Sequence, residues 1–351
     1  MRTRLPTAAG DPTTPDIRGS GTESRVLHWR MSRCHRATVA GLMAALLALG
    51  CTGGAGDRLR NPGRVDPAPQ AWADALRAVV QVRRGHPHVS ARPAPPPFEY
   101  VYRPPRSHDL QAIHERVLEA DLLQRLPEVQ AIDGMFALPR RLRYVTQECG
   151  EFGAFYRPAD AEVVLCYETL RTLYERGQDQ QRASRLAEDH PLRYTRANIR
   201  FIVLHETGHA LVHLLDLPVT GRQEDAVDQL AAILMLRFAG VEETPAEVIA
   251  NLRMAANWML SDSTGAYDLE AYAAEHALGE QRYFNLQCLI YGTDPDSFAG
   301  MVDTGDLTAQ RARGCARETR LISRAWLRLL LPHLAPGYEI YEDEAARYLE
   351  Q

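Results

Sequence analysis

The run His205-Glu206-Thr207-Gly208-His209 constrains the fold of this chain more than any other stretch. If the run is helical, its two histidines stand one turn apart on one face, where they can bind one Zn²⁺ with Glu206 beside it as general base. The flanking positions 202–204 and 210–215 are mostly apolar, which is typical of a helix buried on most sides. Because buried imidazoles and carboxylates need partners, the run favours a metal site.

An alternative has to be weighed, because HExxH fixes only three residues in a chain with 12 histidines and 45 acidic residues. The same run fits a buried helix with two hydrogen-bonded histidines and a solvated Glu206. Gly208 costs a helix about 1 kcal/mol relative to alanine. A small residue at this position lets another backbone approach the site closely.

A catalytic zinc site takes three protein ligands and leaves one position for water. His213 lies on the same helix face, but two turns beyond His205, a rise of about 12 Å that one ion cannot bridge. We therefore expect His213 to be an exposed or hydrogen-bonded helix residue. The remaining candidates for the third ligand follow downstream: Glu224, Asp225 and Asp228.

The run 217–221 predicts a helix stop and a turn, and a second helix begins near Arg222. A short connection makes the two helices antiparallel neighbours, so the second can present its first turns to the first. Glu224 and Asp228 share one face. We assign Glu224 as the third ligand and Asp228 as the carboxylate that accepts a hydrogen bond from His205. The alternative is a solvated acidic start of a helix, which the helix dipole also favours.

HExxH followed by ExxxD is the arrangement of the gluzincin metallopeptidases. Further blocks make the chain similar to a narrower group, a family of bacterial proteins of unknown function that are regarded as metallopeptidases. These blocks are 148–150, 154–156, 165–168, 205–209, 221–229, 280–285 and 291–295, and together they cover about 108–335. The family commonly has Asn and Glu where this chain has Gly153 and Gln223.

The resemblance implies an α+β, zincin-like fold that is mostly helical, with a small β-sheet beside the active-site helix. It also implies Zn²⁺ as cofactor, peptidase chemistry and a peptide or protein substrate. Glu206 is the expected general base. Candidates for stabilising the oxyanion are His276, Tyr272 and Arg282. A catalytic and a structural role stay open for His276; a structural role is favoured for Tyr272 and Arg282, and Arg282 is expected to pair with an acid inside the domain.

Four cysteines, Cys149, Cys166, Cys288 and Cys315, follow a segment that looks like an export signal. An even number in an exported protein suggests two disulfides, for which three pairings exist. Sequence proximity and the family blocks favour Cys149–Cys166 and Cys288–Cys315. The rival is a four-cysteine zinc site, against which the absence of a CxxC knuckle in the sequence and the predicted export both argue.

Residues 31–51 have the features of a bacterial signal peptide: Arg33 and Arg36, the apolar stretch 37–50, and an end that resembles a lipobox. We predict lipidation at Cys51, with an ordinary cleaved signal peptide as the alternative. Residues 1–30 are then a disordered extension, or the true start of the protein lies after them at Met31. The expected location is the cell envelope, exported and anchored to a membrane by lipid, on the periplasmic side or at the outer membrane.

Residues 52–106 are rich in proline and read as a tether, which leaves 107–351 as the catalytic domain. Within it, strands are predicted at about 141–148 and 161–167, and the second is the candidate to pair with an extended substrate. Helices are predicted at about 109–126, 168–176, 195–215, 222–239, 244–260, 266–278, 279–291 and 317–331.

The sequence therefore predicts an exported zinc metallopeptidase that hydrolyses peptide bonds with a water activated by Glu206. The main alternative is a zinc-binding envelope lipoprotein that acts as a non-catalytic interaction module, and another is a zinc hydrolase for a non-peptide bond. The net charge of −5 gives no reason to expect a nucleic-acid partner.

Overall fold

The computed structural model of the chain describes residues 98–239, 243–261, 265, 267–336 and 338. The predicted signal segment, Cys51 and residues 1–30 lie outside them. The strands are β1 (Phe98–Tyr102), β2 (Leu142–Gln147), β3 (Ala154–Arg157) and β4 (Glu162–Cys166). The helices are α1 (His108–Glu119), α2 (Pro127–Ile132), α3 (Tyr167–Ser184), α4 (His190–Leu214), α5 (Gln223–Phe238), α6 (Pro245–Met259), α7 (Leu269–Ala273), α8 (Gly279–Thr293), α9 (Gly300–Asp303) and α10 (Ala309–Leu330). The fold is α+β and mostly helical, as predicted.

The four strands form one sheet in the order β1-β2-β4-β3. Strands β1, β2 and β4 run parallel, whereas β3 pairs antiparallel with β4. Every residue of β4 is buried, and both of its edges are paired. The prediction that the strand at 161–167 receives a substrate is therefore wrong, because among the described strands the one with an unpaired edge near helix α4 is β3.

The first strand lies inside the segment 52–106 that we predicted as a tether. Its residues, Phe-Glu-Tyr-Val-Tyr, are mainly aromatic and β-branched, and they pair in register with β2 from Phe98↔Leu142 to Tyr102↔Thr146. The folded domain thus begins before 107, at Phe98 or earlier. Flanking prolines at 95–97 and 104–105 hid this short strand in the sequence.

Helix α4 carries the HExxH run and is buried along most of its length, which fits the apolar flanks of the run. It contacts β3 and β4 on one side and α3, α5 and α6 elsewhere. The chain then turns and restarts as α5 at Gln223, as the sequence predicts. At Gly208 an added Cβ would stand 2.8 Å from Cβ of Val227 on α5. Glycine therefore sets the close approach of the two helices.

Two disulfides connect these elements in the pairing that the sequence favours. Cys149–Cys166 joins the loop before β3 to the end of β4, and Cys288–Cys315 joins α8 to α10. The sulfur atoms are therefore not available for a four-cysteine zinc site.

A buried ion-pair network ties α4 to its surroundings at Arg200, whose side chain is fully buried. The guanidinium pairs with Glu128 of α2 and with Glu243, which precedes α6. A guanidinium removed from water in this way requires such partners.

The helix predicted at 266–278 is much shorter than expected. The Asp268 side chain accepts a hydrogen bond from the Ala271 amide and starts α7, which ends at Ala273 because Ala274 has an extended backbone. His276 consequently lies in the connection to α8 and not on a helix. Among the residues described, no helix combines the length and apolar character needed to cross a membrane.

Candidate metal centre

Helix α4 brings the two histidines of the HExxH run together at its buried side. The Nε2 atoms of His205 and His209 are 3.3 Å apart. This is the one-turn spacing that the sequence predicts for a helix.

The first turn of α5 adds a carboxylate between these imidazoles. Glu224 Oε2 lies 3.1 Å from His205 Nε2, and Glu224 Oε1 lies 3.4 Å from His209 Nε2. Its position follows from the turn at 217–222 and from the close helix approach at Gly208. The three predicted ligands thus converge on one point.

The Nδ1 atom of each histidine, which is turned away from the other ring, faces an oxygen acceptor. Asp228 Oδ1 lies 2.8 Å from His205 Nδ1, and Gln223 Oε1 lies 2.7 Å from His209 Nδ1. The sequence predicts Asp228 at this position, but Gln223 was not predicted. The place of Gln223 immediately before the predicted ligand Glu224 was the available signal.

Arg282 of α8 holds Asp228 from the other side. Its Nε donates to Oδ2 at 2.7 Å, and a terminal nitrogen donates to Oδ1 at 2.8 Å. Arg282 thus pairs with an acid inside the domain and is committed to that carboxylate. The bidentate pair fixes the carboxylate plane, and with it the His205 ring.

These contacts determine the role of the two Nε2 atoms. With the Nδ1 hydrogens of His205 and His209 directed at oxygen acceptors, the neutral rings present Nε2 lone pairs to each other and to Glu224. Three acceptors then face one another at 3.1–3.4 Å. A cation at their centre would satisfy all of them, so the residues fit a metal ion.

The electrostatics of the metal-free site are consistent with this fit. Burial lowers the pKa of His205, but hydrogen bonds with Asp228 and Glu224 outweigh burial and raise it to about 9. Burial raises the pKa of Glu224. Hydrogen bonds with His205, His209 and His276 outweigh burial and lower this pKa well below its ordinary value. The same holds for Asp228. Burial raises its pKa, but the hydrogen bonds with Arg282 and His205 outweigh burial, so the pKa is lowered overall. Protons thus occupy the position that a metal would take.

Glu206 lies in the same centre with only 9% of its surface exposed. Burial raises its pKa, and the nearby His205 and His209 counteract this rise. The nearby backbone of Tyr156 also lowers the pKa, so the carboxylate lies beside the edge strand β3. Tyr156 could not be predicted from the sequence, because a backbone contact does not depend on the type of residue.

The orientation of this backbone follows from the strand register. The Cys166 amide donates to the Gly153 carbonyl, and the β3–β4 pairs continue from Ala154↔Leu165 to Arg157↔Glu162. In an antiparallel pair, hydrogen-bonded and non-hydrogen-bonded residues alternate. The backbone groups of Ala154 and Tyr156 therefore point away from β4, toward the open edge.

The remaining candidates lie at different places around the centre. His276 Nε2 is 2.9 Å from Glu224 Oε2, and its ring stacks on that of His205 with centroids 5.9 Å apart. Tyr272 is exposed and contacts Tyr267. His213 is an exposed helix residue with Nδ1 2.9 Å from the Tyr156 hydroxyl, in line with its predicted role outside the metal centre.

Cys149, Cys166 and Glu168 form a second group that resembles a metal site by proximity. The two sulfurs are joined as a disulfide, and Glu168 accepts hydrogen bonds from the amides of Cys149 and Gly150. This group is therefore structural.

Comparison with known proteins gives the family of the chain. No curated protein and no solved structure gave a significant match. Residues 102–330, well over half of the chain, match the model of a family described as "Putative metallopeptidase". The match spans β2–β4 and the helices that carry the candidate metal centre, and the chain therefore belongs to this metallopeptidase family.

Proposed function

We propose that this protein is an exported zinc metallopeptidase in which His205, His209 and Glu224 hold the metal. The observation that carries the proposal is the convergence of these three ligand atoms beside the buried carboxylate of Glu206. Two imidazoles and one carboxylate form a ligand set that catalytic zinc sites use. Bound zinc supplies Lewis-acid activation of a water and of a carbonyl group.

Glu206 is the proton carrier in this proposal. Its carboxylate takes a proton from the attacking water and passes it to the leaving amine. Burial raises its pKa, which strengthens it as a base, while the neighbouring imidazoles oppose the rise. The Tyr156 backbone, which lowers this pKa, lies beside the carboxylate on the side of the edge strand.

Strand β3 would bind the substrate in a zincin-like arrangement. The outward backbone groups of Ala154 and Tyr156 can pair with an extended peptide, which then runs past Glu206. Phe155 is partly exposed and Arg157 lies over its ring, so both are available to contact substrate side chains. The fold supports a peptide or protein as substrate.

The proposed location is the cell envelope, with a lipid anchor at Cys51. The two disulfides support export, because such bonds persist in oxidising compartments. The signal-like segment 31–51 supports the same route.

The decisive test combines Glu206→Gln with Glu224→Ala in the full chain. We expect Glu206→Gln to keep one zinc per chain and to lose about 10²–10⁴-fold in kcat on a peptide library, because only the proton carrier is removed. Glu224→Ala should lose zinc. Measurements are zinc content by elemental analysis and peptide cleavage by mass spectrometry.

Two outcomes would contradict the proposal. A folded wild type without zinc would reject the metal site. A zinc-loaded wild type whose cellular function survives Glu206→Gln would instead favour the non-catalytic zinc-binding module.

A further inference from the structure

The described segment 267–280 forms a loop that brings His276 to the candidate metal centre, and its two ends are held together. Tyr267 donates its hydroxyl hydrogen to the carboxylate of Glu280, which joins the two ends of the loop. Gly279 packs so tightly on the Met259 carbonyl that an added Cβ would lie 2.1 Å from the oxygen. The loop is thus anchored at its base, while its outer part is exposed: Leu269 is 83% and the His276 side chain 52% accessible.

Despite this exposure, the His276 imidazole points to the metal ligands. Its Nε2 lies 2.9 Å from Glu224 Oε2, the same oxygen that faces His205 Nε2 at 3.1 Å. Its ring lies nearly parallel to that of His205, with an interplanar angle of 19°. One ligand atom from each of His205, Glu224 and His276 lies within 4.8 Å of the others.

These separations can be compared with those of a metal polyhedron. Ligand atoms about 2.0–2.1 Å from a tetrahedral zinc stand about 3.3 Å from one another. The atoms of His205, His209 and Glu224 are 3.1–3.4 Å apart, and His276 Nε2 approaches the same group at 2.9 Å. The ligand atoms of His205, Glu224 and His276 therefore lie on the scale of one coordination sphere, and His209 adjoins this group through His205 and Glu224.

We propose that His276 is a fourth protein ligand of the metal in the substrate-free protein, so that the resting site contains three imidazoles and one carboxylate. This inference rests on the proposed metal site and adds to it. A fourth protein ligand takes the coordination position that a catalytic site keeps for water. The half-exposed loop that carries His276 is then the element that must move when a substrate enters.

The test counts imidazole ligands and needs no substrate. Zinc K-edge X-ray absorption on the full chain should give three imidazoles for the wild type and two for His276→Ala. In the cobalt-substituted proteins, His276→Ala should change the visible absorption spectrum, because an oxygen ligand replaces nitrogen. Zinc affinity from chelator competition should fall by at least about tenfold.

Leu269→Ala is the matched control, since it alters the same loop at an exposed side chain without a ligand atom. It should keep the wild-type spectrum and zinc affinity. A zinc-loaded wild type with two imidazoles, or a spectrum that His276→Ala leaves unchanged, would overturn the inference and leave His276 as a hydrogen-bond partner of Glu224. A wild type that binds no zinc would overturn the proposed function as well.

Discussion

At the scale of single residues, Asp228 connects the proposed metal ligands to the rest of the domain. One of its oxygens receives hydrogen bonds from both His205 and Arg282, and the other accepts a second bond from Arg282. The carboxylate thus orients a ligand ring and neutralises a mostly buried guanidinium. Its charge and its geometry both matter for the site.

Asp228→Asn should weaken zinc binding by about 10–100-fold, because the amide keeps the shape but loses the charge that orients and polarises His205. The measurement is chelator competition with the purified chain. Asp225→Asn is the control: it removes a neighbouring acid that makes none of the contacts described for the ligand histidines. Equal zinc affinity in the wild type and Asp228→Asn would contradict the role of Asp228.

Spacing along a helix explains why several of these residues could be predicted from the sequence. His205 and His209, like Glu224 and Asp228, are four residues apart, and helix geometry alone places each pair on one face. The Asp228–Arg282 pair joins positions 54 residues apart, a distance that no local pattern encodes. An acid partner for Arg282 could be expected, but not which acid.

At the scale of elements, the crossing of α4 and α5 determines where Glu224 stands. The absence of a side chain at Gly208 lets Val227 approach, and Glu224 lies one turn before Val227. The ligand set therefore depends on a helix contact that contains no ligand.

Gly208→Ala should destabilise the protein by about 1–3 kcal/mol and weaken zinc binding, because the new methyl group pushes α5 and Glu224 away. Gly314→Ala is the matched control on α10, where an added Cβ meets nothing within 4 Å. Since alanine favours helix, that variant should be neutral or slightly stabilised. Thermal unfolding and chelator competition measure both effects; a Gly208→Ala protein with unchanged zinc affinity would refute the coupling.

The sheet was less predictable than the helices. Periodic apolar patterns and the turn at 217–221 identify α4 and α5, but β3 has only four residues and β1 is flanked by prolines. Strand order depends on pairing between distant segments, such as Phe98 with Leu142. The open edge consequently could not be assigned, and the sequence pointed to the interior strand β4.

At the scale of the whole molecule, stability without metal should depend on pH through the centre. The pKa of His205 is raised to about 9 from an ordinary value near 6.5, so its contacts with Asp228 and Glu224 stabilise the fold fully below about 6.5. This contribution, on the order of 3 kcal/mol, is lost as the pH rises through about 9. Burial lowers the pKa of His209, but hydrogen bonds with Glu224 and Gln223 raise it overall. The contribution of His209 to stability is therefore also lost as the pH rises.

The metal-free protein should therefore melt at progressively lower temperature between pH 6.5 and 9. The zinc-loaded protein should not, because binding of the metal releases the His205 proton and gains strength over the same range. Calorimetry with chelator and with excess zinc measures the two curves. Parallel curves would contradict the prediction that protons and metal compete for this site.

The closed base of the 268–278 loop has an evolutionary consequence. Because Tyr267 and Glu280 hold the ends together, the intervening residues other than His276 can change in composition without displacing α8. Relatives that keep this pair can vary the sequence of the loop while its two ends stay in place. Selection for different substrates would then act on this stretch, while His276 and the helices that carry the other proposed ligands stay unchanged.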